Sequence, residues 1–81
     1  MAYFVYILEC SDHTLYVGST NDIKKRLIAH NTLKSAAKYT RGRRPVTLRY
    51  SKKFTTKSRA LKEEWKLKSL TRAQKLFLIE K

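Results

Sequence analysis

The chain has 81 residues, and 19 Lys and Arg against 6 Asp and Glu give it a formal net charge of +13. This length suits one compact domain over residues 1–81, and it excludes a catalytic domain joined to a separate recognition domain. So high a charge predicts a polyanionic partner. A phosphate backbone fits best, because neutralising phosphates releases their counterions.

A membrane or disulfide-bonded protein is not indicated. The first residues, MAYFVYILEC, lack a basic region, and their apolar run is too short to span a bilayer. Cys10 is the only cysteine, which excludes an internal disulfide and a thiolate metal cluster and suits a reducing cytoplasm. We expect a cytoplasmic protein in which Cys10 is a buried strand residue.

The first half of the chain predicts a β-hairpin followed by a helix. Tyr3–Glu9 and Leu15–Ser19 are rich in aromatic and β-branched residues, and a polar stretch separates them. N-cap residues then precede a helical pattern from about Asp22 to Asn31. Arg26 and His30 are four residues apart and therefore share one face of this helix.

The second half predicts a basic loop, a third strand and two helices. The polar stretch from Lys38 to Arg44 predicts an exposed loop. Alternating apolar residues predict a strand over Val46–Phe54 that packs on one face. Cap residues at Thr55–Ser58 begin a helix to about Ser69, and Thr71 with Gln74 forms a capping box for a last short helix. The predicted fold is α/β (α+β), a three-stranded antiparallel sheet flanked by helices in the order ββαβαα.

Glu64 is the carboxylate whose position suggests a function. Leu61 and Trp65 are four residues apart and are predicted to anchor the helix in the core, with Glu64 at the edge of their stripe. A half-buried carboxylate needs a partner or a metal to offset the cost of its burial. The alternative is a solvated Glu64 that pairs with Lys68 one turn later.

The residue inventory limits the chemistry. The six carboxylates are scattered over all the elements, which argues against a two-metal site. Two histidines and one cysteine are too few for a zinc centre. The sequence also lacks a P-loop, a nucleophile elbow and a dinucleotide fingerprint. Single-metal or metal-free phosphoryl chemistry that relies on Tyr, Arg, His and one Glu remains.

The hairpin carries a family signature. Val5-Tyr6-Ile7 and Tyr16-Val17-Gly18, with ten residues from Tyr6 to Tyr16, resemble the GIY...YIG motif with substitutions at its first glycine and isoleucine positions. The exit Gly18-Ser19-Thr20, the basic Ala37–Pro45 segment and Glu64 beside Trp65 also match. The chain is similar to the small stand-alone GIY-YIG proteins, the YhbQ-like group, over nearly its whole length.

This resemblance implies a metal-dependent endonuclease that uses water to hydrolyse phosphodiester bonds in DNA. Because the chain has no room for a separate recognition domain, we expect DNA structure rather than sequence to decide where it cuts, with a role in DNA repair or recombination. Two rival functions stay open: a non-catalytic nucleic-acid-binding module, and a nuclease subunit that needs a protein partner for activity or specificity. RNA as the substrate and the oligomeric state also stay open.

The resemblance gives each site residue a role. Tyr6 helps to deprotonate the attacking water, which requires cationic neighbours to lower its pKa. Arg26 stabilises the charge that develops on the phosphate. Glu64 holds a divalent cation, Mg²⁺ or Mn²⁺, with water and phosphate as the other ligands. Tyr16 orients water or phosphate, and His30 hydrogen-bonds the site or shuttles a proton.

Simpler roles compete with these assignments. Tyr6 and Tyr16 can be packing residues. Arg26 can be one more phosphate-binding cation, and His30 can be a residue on the helix surface that solvent satisfies. Tyr6 and Tyr16 face the same side of the sheet only if their hairpin loop has an odd number of residues, so a loop of three or five residues is predicted.

The basic loop is the predicted substrate-binding segment. Its cations can follow a bent or branched backbone, and its tyrosine can stack on a base. The alternative is a solvated loop without a defined role. The nucleic-acid-binding candidates are Lys38, Tyr39, Arg41, Arg43 and Arg44.

Overall fold

The computed structural model describes residues 2–32 and 43–80, which form a three-stranded antiparallel sheet in the order β2-β1-β3 with helices packed against it. The element order ββαβαα and the antiparallel pairing confirm the predicted fold. The strands are β1 (Tyr3–Glu9), β2 (Leu15–Thr20) and β3 (Thr47–Phe54), and the helices are α1 (Ile23–Thr32), α2 (Lys57–Lys68) and α3 (Arg72–Ile79).

The helices begin where the polar residues predict. Asp22 precedes α1, and its Oδ1 accepts a hydrogen bond of 3.0 Å from the backbone N–H of Lys25. Thr56 caps α2, and Thr71 and Gln74 form the predicted capping box of α3. Within the two described ranges, no helix is long and apolar enough to cross a bilayer.

The hairpin loop consists of the five residues 10–14. The backbone N–H of Cys10 donates to the carbonyl of Thr14 and that of His13 donates to the carbonyl of Cys10, both at 2.9 Å. His13 takes a left-handed conformation with φ of 66°. The Asp12 carboxylate supports the turn by accepting from the backbone N–H of Thr14 at 3.1 Å. Cys10 is buried, as predicted, but it lies in this loop directly after β1 and not in a strand.

The odd length of this loop confirms the prediction about the two tyrosines. Tyr6 pairs across the strands with Gly18, and Leu8 pairs with Tyr16. Since paired residues share a side and alternate residues return to it, Tyr6 and Tyr16 lie on the same face of the sheet.

Both faces of the sheet are covered. We call the face of Tyr6 and Leu8 the α1 face, because Ile23 and Leu27 of α1 pack against its buried cluster. We call the other face the α2 face, where Ala60 and Leu67 of α2 are buried. Its remaining buried residues are Val5, Ile7 and Val17.

A β-bulge in β3 corrects one prediction. β3 pairs Tyr50 with Ile7 but Leu48 with Leu8, which leaves Arg49 as an extra residue opposite β1. Leu48 therefore packs on the α1 face and Tyr50 on the α2 face. The prediction that the alternating residues of this strand pack on one face is wrong, because the bulge shifts the alternation by one residue.

The predicted core anchors of α2 are also wrong. Leu61 is 48% exposed and Trp65 is 76% exposed. The helix instead buries Ala60 and Leu67, which lie two turns apart on one side. The helix thus faces the sheet with the side that carries the small Ala60. The side that carries the larger Leu61 and Trp65 faces solvent.

Candidate active site

Three aromatic rings of the α1 face form the centre of the candidate site. The hydroxyl oxygen of Tyr6 lies 3.1 Å from Nε2 of His30, and both residues are buried, with 2% and 0% of their surface exposed. The rings of Tyr16 and His30 meet edge to face, with centroids 5.3 Å apart. The alternative in which His30 is a solvent-satisfied surface residue is wrong, because β1 and β2 cover the side of α1 that carries it.

His30 is held in its neutral form. Burial lowers the pKa of His30, and the positive charges of Arg26 and Arg44 lower it further. A neutral imidazole can accept a hydrogen bond at Nε2 when Nδ1 carries its proton. In that tautomer the Tyr6 phenol donates to Nε2 of His30, a ring nitrogen able to take its proton.

The backbone at His30 is also held in place. Nε of Arg44 donates to the backbone carbonyl of His30 at 2.6 Å. The neighbouring Asn31 accepts from the backbone N–H of Val46 at 2.7 Å and donates to its carbonyl at 3.2 Å. These bonds fasten the end of α1 to the start of β3. The sequence alone does not indicate this role of Asn31, since nothing in a helical pattern shows a contact 15 residues away.

The environment of Tyr6 corrects the expectation that cations lower its pKa. Burial raises the pKa of Tyr6, and the hydrogen bond and charge of Arg26 oppose this only in part. The net pKa lies above its ordinary value because the loss of hydration outweighs one cation. Arg26 is half-buried, and within the described residues its Nε is a buried donor without a hydrogen-bond partner. Arg26 thus forms a hydrogen bond with Tyr6, while its Nε–H has no hydrogen-bond partner in the described residues.

Burial of a neutral His30 should make stability depend on pH. In the unfolded chain His30 takes up a proton near its ordinary pKa of 6.5. In the folded chain it takes up the proton only at a lower pH, because its pKa is lowered. We expect the free energy of unfolding to fall as the pH is lowered from 6.5 towards the lowered pKa of His30. The carboxylate Glu64 titrates below this window, because its pKa is lowered from 4.5.

Urea unfolding between about pH 7.5 and pH 5 would measure this dependence. His30→Gln should flatten the curve in this range. Equal slopes in the native protein and in His30→Gln would show that another group is responsible.

Gly18 belongs to the family motif, and the structure provides the physical reason for a glycine at this position. It lies directly opposite Tyr6 on the neighbouring strand. A Cβ at this position would lie 2.5 Å from the Tyr6 hydroxyl oxygen and 2.7 Å from Cζ, both well inside van der Waals contact. The glycine therefore leaves the space that the phenol occupies.

We expect Gly18→Ala to move Tyr6 away from His30. Because Tyr6 is buried, its ring cannot shift without disturbing its neighbours, and such overpacking typically costs about 1–3 kcal/mol. Urea unfolding and the NMR signals of the two rings would measure the change. Ser51→Ala is the matched control, since Ser51 pairs with Tyr6 from the other side and is exposed. A Gly18→Ala protein as stable as this control, with an unmoved Tyr6 ring, would refute the expectation.

Glu64 reaches the site from α2. Its side chain is 18% exposed, and its Oε2 lies 2.8 Å from Nζ of Lys68. Burial raises the pKa of Glu64, but hydrogen bonds from Lys68 and from the side chain of Ser19 outweigh it, and the net pKa is lowered. Its charge is close enough to raise the pKa of Tyr6. Glu64 is thus half-buried, as predicted, and also forms the predicted alternative pair with Lys68.

The Glu64 carboxylate suits a site for one hard cation. Within residues 2–32 and 43–80, no three His, Cys, Asp or Glu side chains converge as a metal cluster. Mg²⁺ commonly keeps several waters and needs only one or two carboxylates plus a substrate phosphate. Glu64 is ionised because its pKa is lowered, which is the state that a metal ligand requires. Lys68 would have to release the carboxylate for the cation to bind.

Two residues of the predicted basic loop are described. Nε of Arg43 donates to Oδ2 of Asp12 at 3.1 Å, which ties this arginine to the hairpin loop. Arg44 contacts His30, as described above. The other predicted nucleic-acid-binding residues lie outside the described ranges, namely Lys38, Tyr39 and Arg41.

The chain matches a known family in sequence. A family model described as the GIY-YIG catalytic domain matches residues 2–76. A UPF0213 protein of Halobacterium salinarum is 52% identical over 71 residues, which cover 88% of this chain and 91% of the relative. A UPF0213 protein of Staphylococcus epidermidis is 51% identical over 78 residues, covering 96% of this chain and 94% of the relative.

Solved structures match as well. The solution NMR structure of a UPF0213 protein from Bacillus halodurans superimposes with a TM-score of 0.63 at 41% identity, covering 99% of this chain and 84% of that one. A solution NMR structure of a protein from E. faecalis gives a TM-score of 0.63 at 40% identity, covering 93% and 79%. These matches show that the chain belongs to the GIY-YIG family of nuclease domains.

Proposed function

We propose that this protein is a metal-dependent endonuclease that hydrolyses phosphodiester bonds in DNA, with DNA structure rather than sequence deciding where it cuts. We further propose that residues 1–81 act as one domain and serve DNA repair or recombination. Membership of a nuclease family supports the reaction class. The observation that carries the proposal is the buried contact between the Tyr6 hydroxyl and Nε2 of a neutral His30, with Arg26 beside it.

These residues can move a proton away from an attacking water. The Tyr6 O–H bond breaks as its proton passes to Nε2 of His30, and the phenolate oxygen takes a proton from the water, whose oxygen bonds to phosphorus. The bond between phosphorus and the leaving oxygen breaks, and that oxygen takes a proton from solvent. The imidazolium of His30, which burial and the charges of Arg26 and Arg44 disfavour, returns its proton to solvent, so that both residues end in their starting states. The raised pKa of Tyr6 makes it a strong base once deprotonated, and the adjacent Arg26 stabilises the phenolate while it exists.

The remaining groups stabilise the phosphate. Arg26 has a buried donor without a partner in the described chain, and this donor can be directed at the charge that develops on the phosphate oxygens. Tyr16 borders the same ring and can orient water or phosphate. Glu64 would hold Mg²⁺ or Mn²⁺, which neutralises phosphate charge and lowers the pKa of bound water.

The net charge of +13 supports a nucleic-acid substrate. We propose that the basic loop binds the strand beyond the cleavage point, with cations at Lys38, Arg41, Arg43 and Arg44 and a stacking ring at Tyr39. RNA is an alternative substrate. A protein partner that supplies specificity is compatible with this arrangement.

The proposal is tested with end-labelled DNA. The protein is incubated with Mg²⁺, Mn²⁺ or a chelator on single-stranded, duplex, flap and branched DNA, and on RNA strands of matched sequence. We expect metal-dependent cuts near junctions, and none with the chelator. Binding to these substrates without cleavage in either metal would overturn the proposal and favour the nucleic-acid-binding module or a partner-dependent subunit.

A further inference from the structure

The outer side of α2 carries an exposed apolar pair. Trp65 is the only tryptophan of the chain, and it lies one turn from the exposed Leu61. The two side chains lie in an open groove on the helix surface. We call this groove the Trp65 face, and its other lining residues are Lys57, Ser58, Lys62 and Lys66.

The Trp65 face adjoins the candidate active site. Successive residues of an α-helix turn by about 100°, so Trp65 lies that far around α2 from Glu64. By the same spacing Lys68 and Leu61 lie between them. Because only about 100° of the helix surface separates the two, a strand whose phosphate is beside Glu64 can extend onto the Trp65 face.

The residues of the Trp65 face indicate which kind of ligand it binds. An exposed aromatic ring among lysines is the combination with which proteins bind single strands, since the ring stacks on a base and the ammonium groups contact phosphates. A second copy of the chain would bring another +13 to this basic surface, and the charges would repel. The two acidic residues of α2, Glu63 and Glu64, are half-buried and do not offset the lysines of the groove.

We propose that the Trp65 face binds unpaired nucleotides of the substrate, with the indole of Trp65 stacked on a base and Lys62 and Lys66 on the flanking phosphates. This inference rests on the proposed function for the nature of the substrate. It adds that the site takes a strand with unstacked bases, such as a flap or a single-stranded branch, beside the phosphate that is cut.

The sole tryptophan reports directly on its own stacking. The native protein, in chelator so that nothing is cleaved, is titrated with a single-stranded oligothymidylate and with a blunt duplex of the same length. We expect the single strand to quench the tryptophan fluorescence strongly and the duplex to quench it little. Fluorescence anisotropy of labelled strands then compares the variants, including those without tryptophan.

Trp65→Ala is expected to weaken single-strand binding by about 5- to 100-fold, the loss of one stacked base, while duplex binding changes little. Trp65→Phe should retain most of the affinity. Lys62→Ala should weaken the binding of both single strand and duplex. It should also lower the slope of log affinity against log salt concentration by about one. Phe77→Ala removes another exposed aromatic, 67% exposed on α3, and should leave binding unchanged.

Three results would overturn the inference: single-strand binding unchanged in Trp65→Ala, equal quenching by duplex and single strand, or a dimer in sedimentation that Trp65→Ala abolishes. An unchanged urea midpoint confirms that this surface variant is folded. Cleavage with unaltered binding in Trp65→Ala would refute this inference alone. Stacking without cleavage on any substrate would refute the endonuclease proposal and leave standing the binding of unpaired nucleotides at the Trp65 face.

Discussion

Tyr6→Phe is expected to lower the rate constant for DNA cleavage by about 10²–10⁴-fold, the usual contribution of a positioned acid or base. The substitution keeps the ring that packs against His30 and removes only the hydroxyl that His30 and Arg26 contact. Single-turnover cleavage with enzyme in excess measures the chemical step without product release. Binding in chelator should stay unchanged, since the hydroxyl is buried.

Tyr3→Phe is the matched control for this variant. Tyr3 lies on the same strand but packs against the cluster of the α2 face, and its change should leave cleavage unaltered. Tyr6→Phe should also cost about 1–3 kcal/mol of unfolding free energy, because it leaves buried polar groups without their partner. A Tyr6→Phe protein that cleaves as fast as Tyr3→Phe would remove Tyr6 from the reaction.

Glu64→Gln is expected to lower metal-dependent cleavage by at least about 100-fold. A bound cation contributes several kcal/mol to a phosphoryl transition state, and each 1.36 kcal/mol is a factor of ten in rate. Gln keeps the size of the side chain but lacks the charge that a hard cation requires. Cleavage is measured over a range of Mg²⁺ concentrations, and DNA binding is measured separately in chelator.

Glu63→Gln provides the comparison at the adjacent carboxylate. Burial, and after it the charge of Glu63, raise the pKa of Tyr50, which packs on the α2 face, whereas Glu63 is not among the groups that shift the pKa of Tyr6. We expect it to cleave normally at every Mg²⁺ concentration. Retained cleavage in Glu64→Gln would mean that the Lys68 pair is the whole role of Glu64. A loss of DNA binding in chelator would mean that the variant disturbs the fold.

The sequence was sufficient for the element order and the shared tyrosine face. Caps such as Asp22 and Thr71 act through neighbours within a few residues, so local patterns predict them. The parity of the hairpin loop follows from strand alternation alone, and the five-residue loop agrees with it. These features depend on short separations along the chain.

The errors came from contacts between distant segments. The bulge at Arg49 depends on how β3 pairs with β1, about forty residues earlier, so alternation within β3 could not show it. In α2, the spacing of apolar residues predicts that the large Leu61 and Trp65 are buried. The helix instead packs on the sheet with the side that carries Ala60.

The pKa values of the site were also beyond the sequence. They depend on how deeply β1 and α1 bury Tyr6 and His30, and burial of Tyr6 outweighs the charge of Arg26. The role of Gly18 is visible only from the pairing of β1 with β2, which places this glycine against the Tyr6 ring.

The position of β3 has a consequence for solubility. It is an edge strand of the described sheet, and an edge offers backbone groups with which another chain can pair. Arg49 interrupts that edge with a bulge, and exposed Lys52 and Lys53 follow it. A second molecule adding its own β3 would bring like charges face to face across the new ladder. The cations that suit this protein to phosphates therefore also discourage its growth into fibrils.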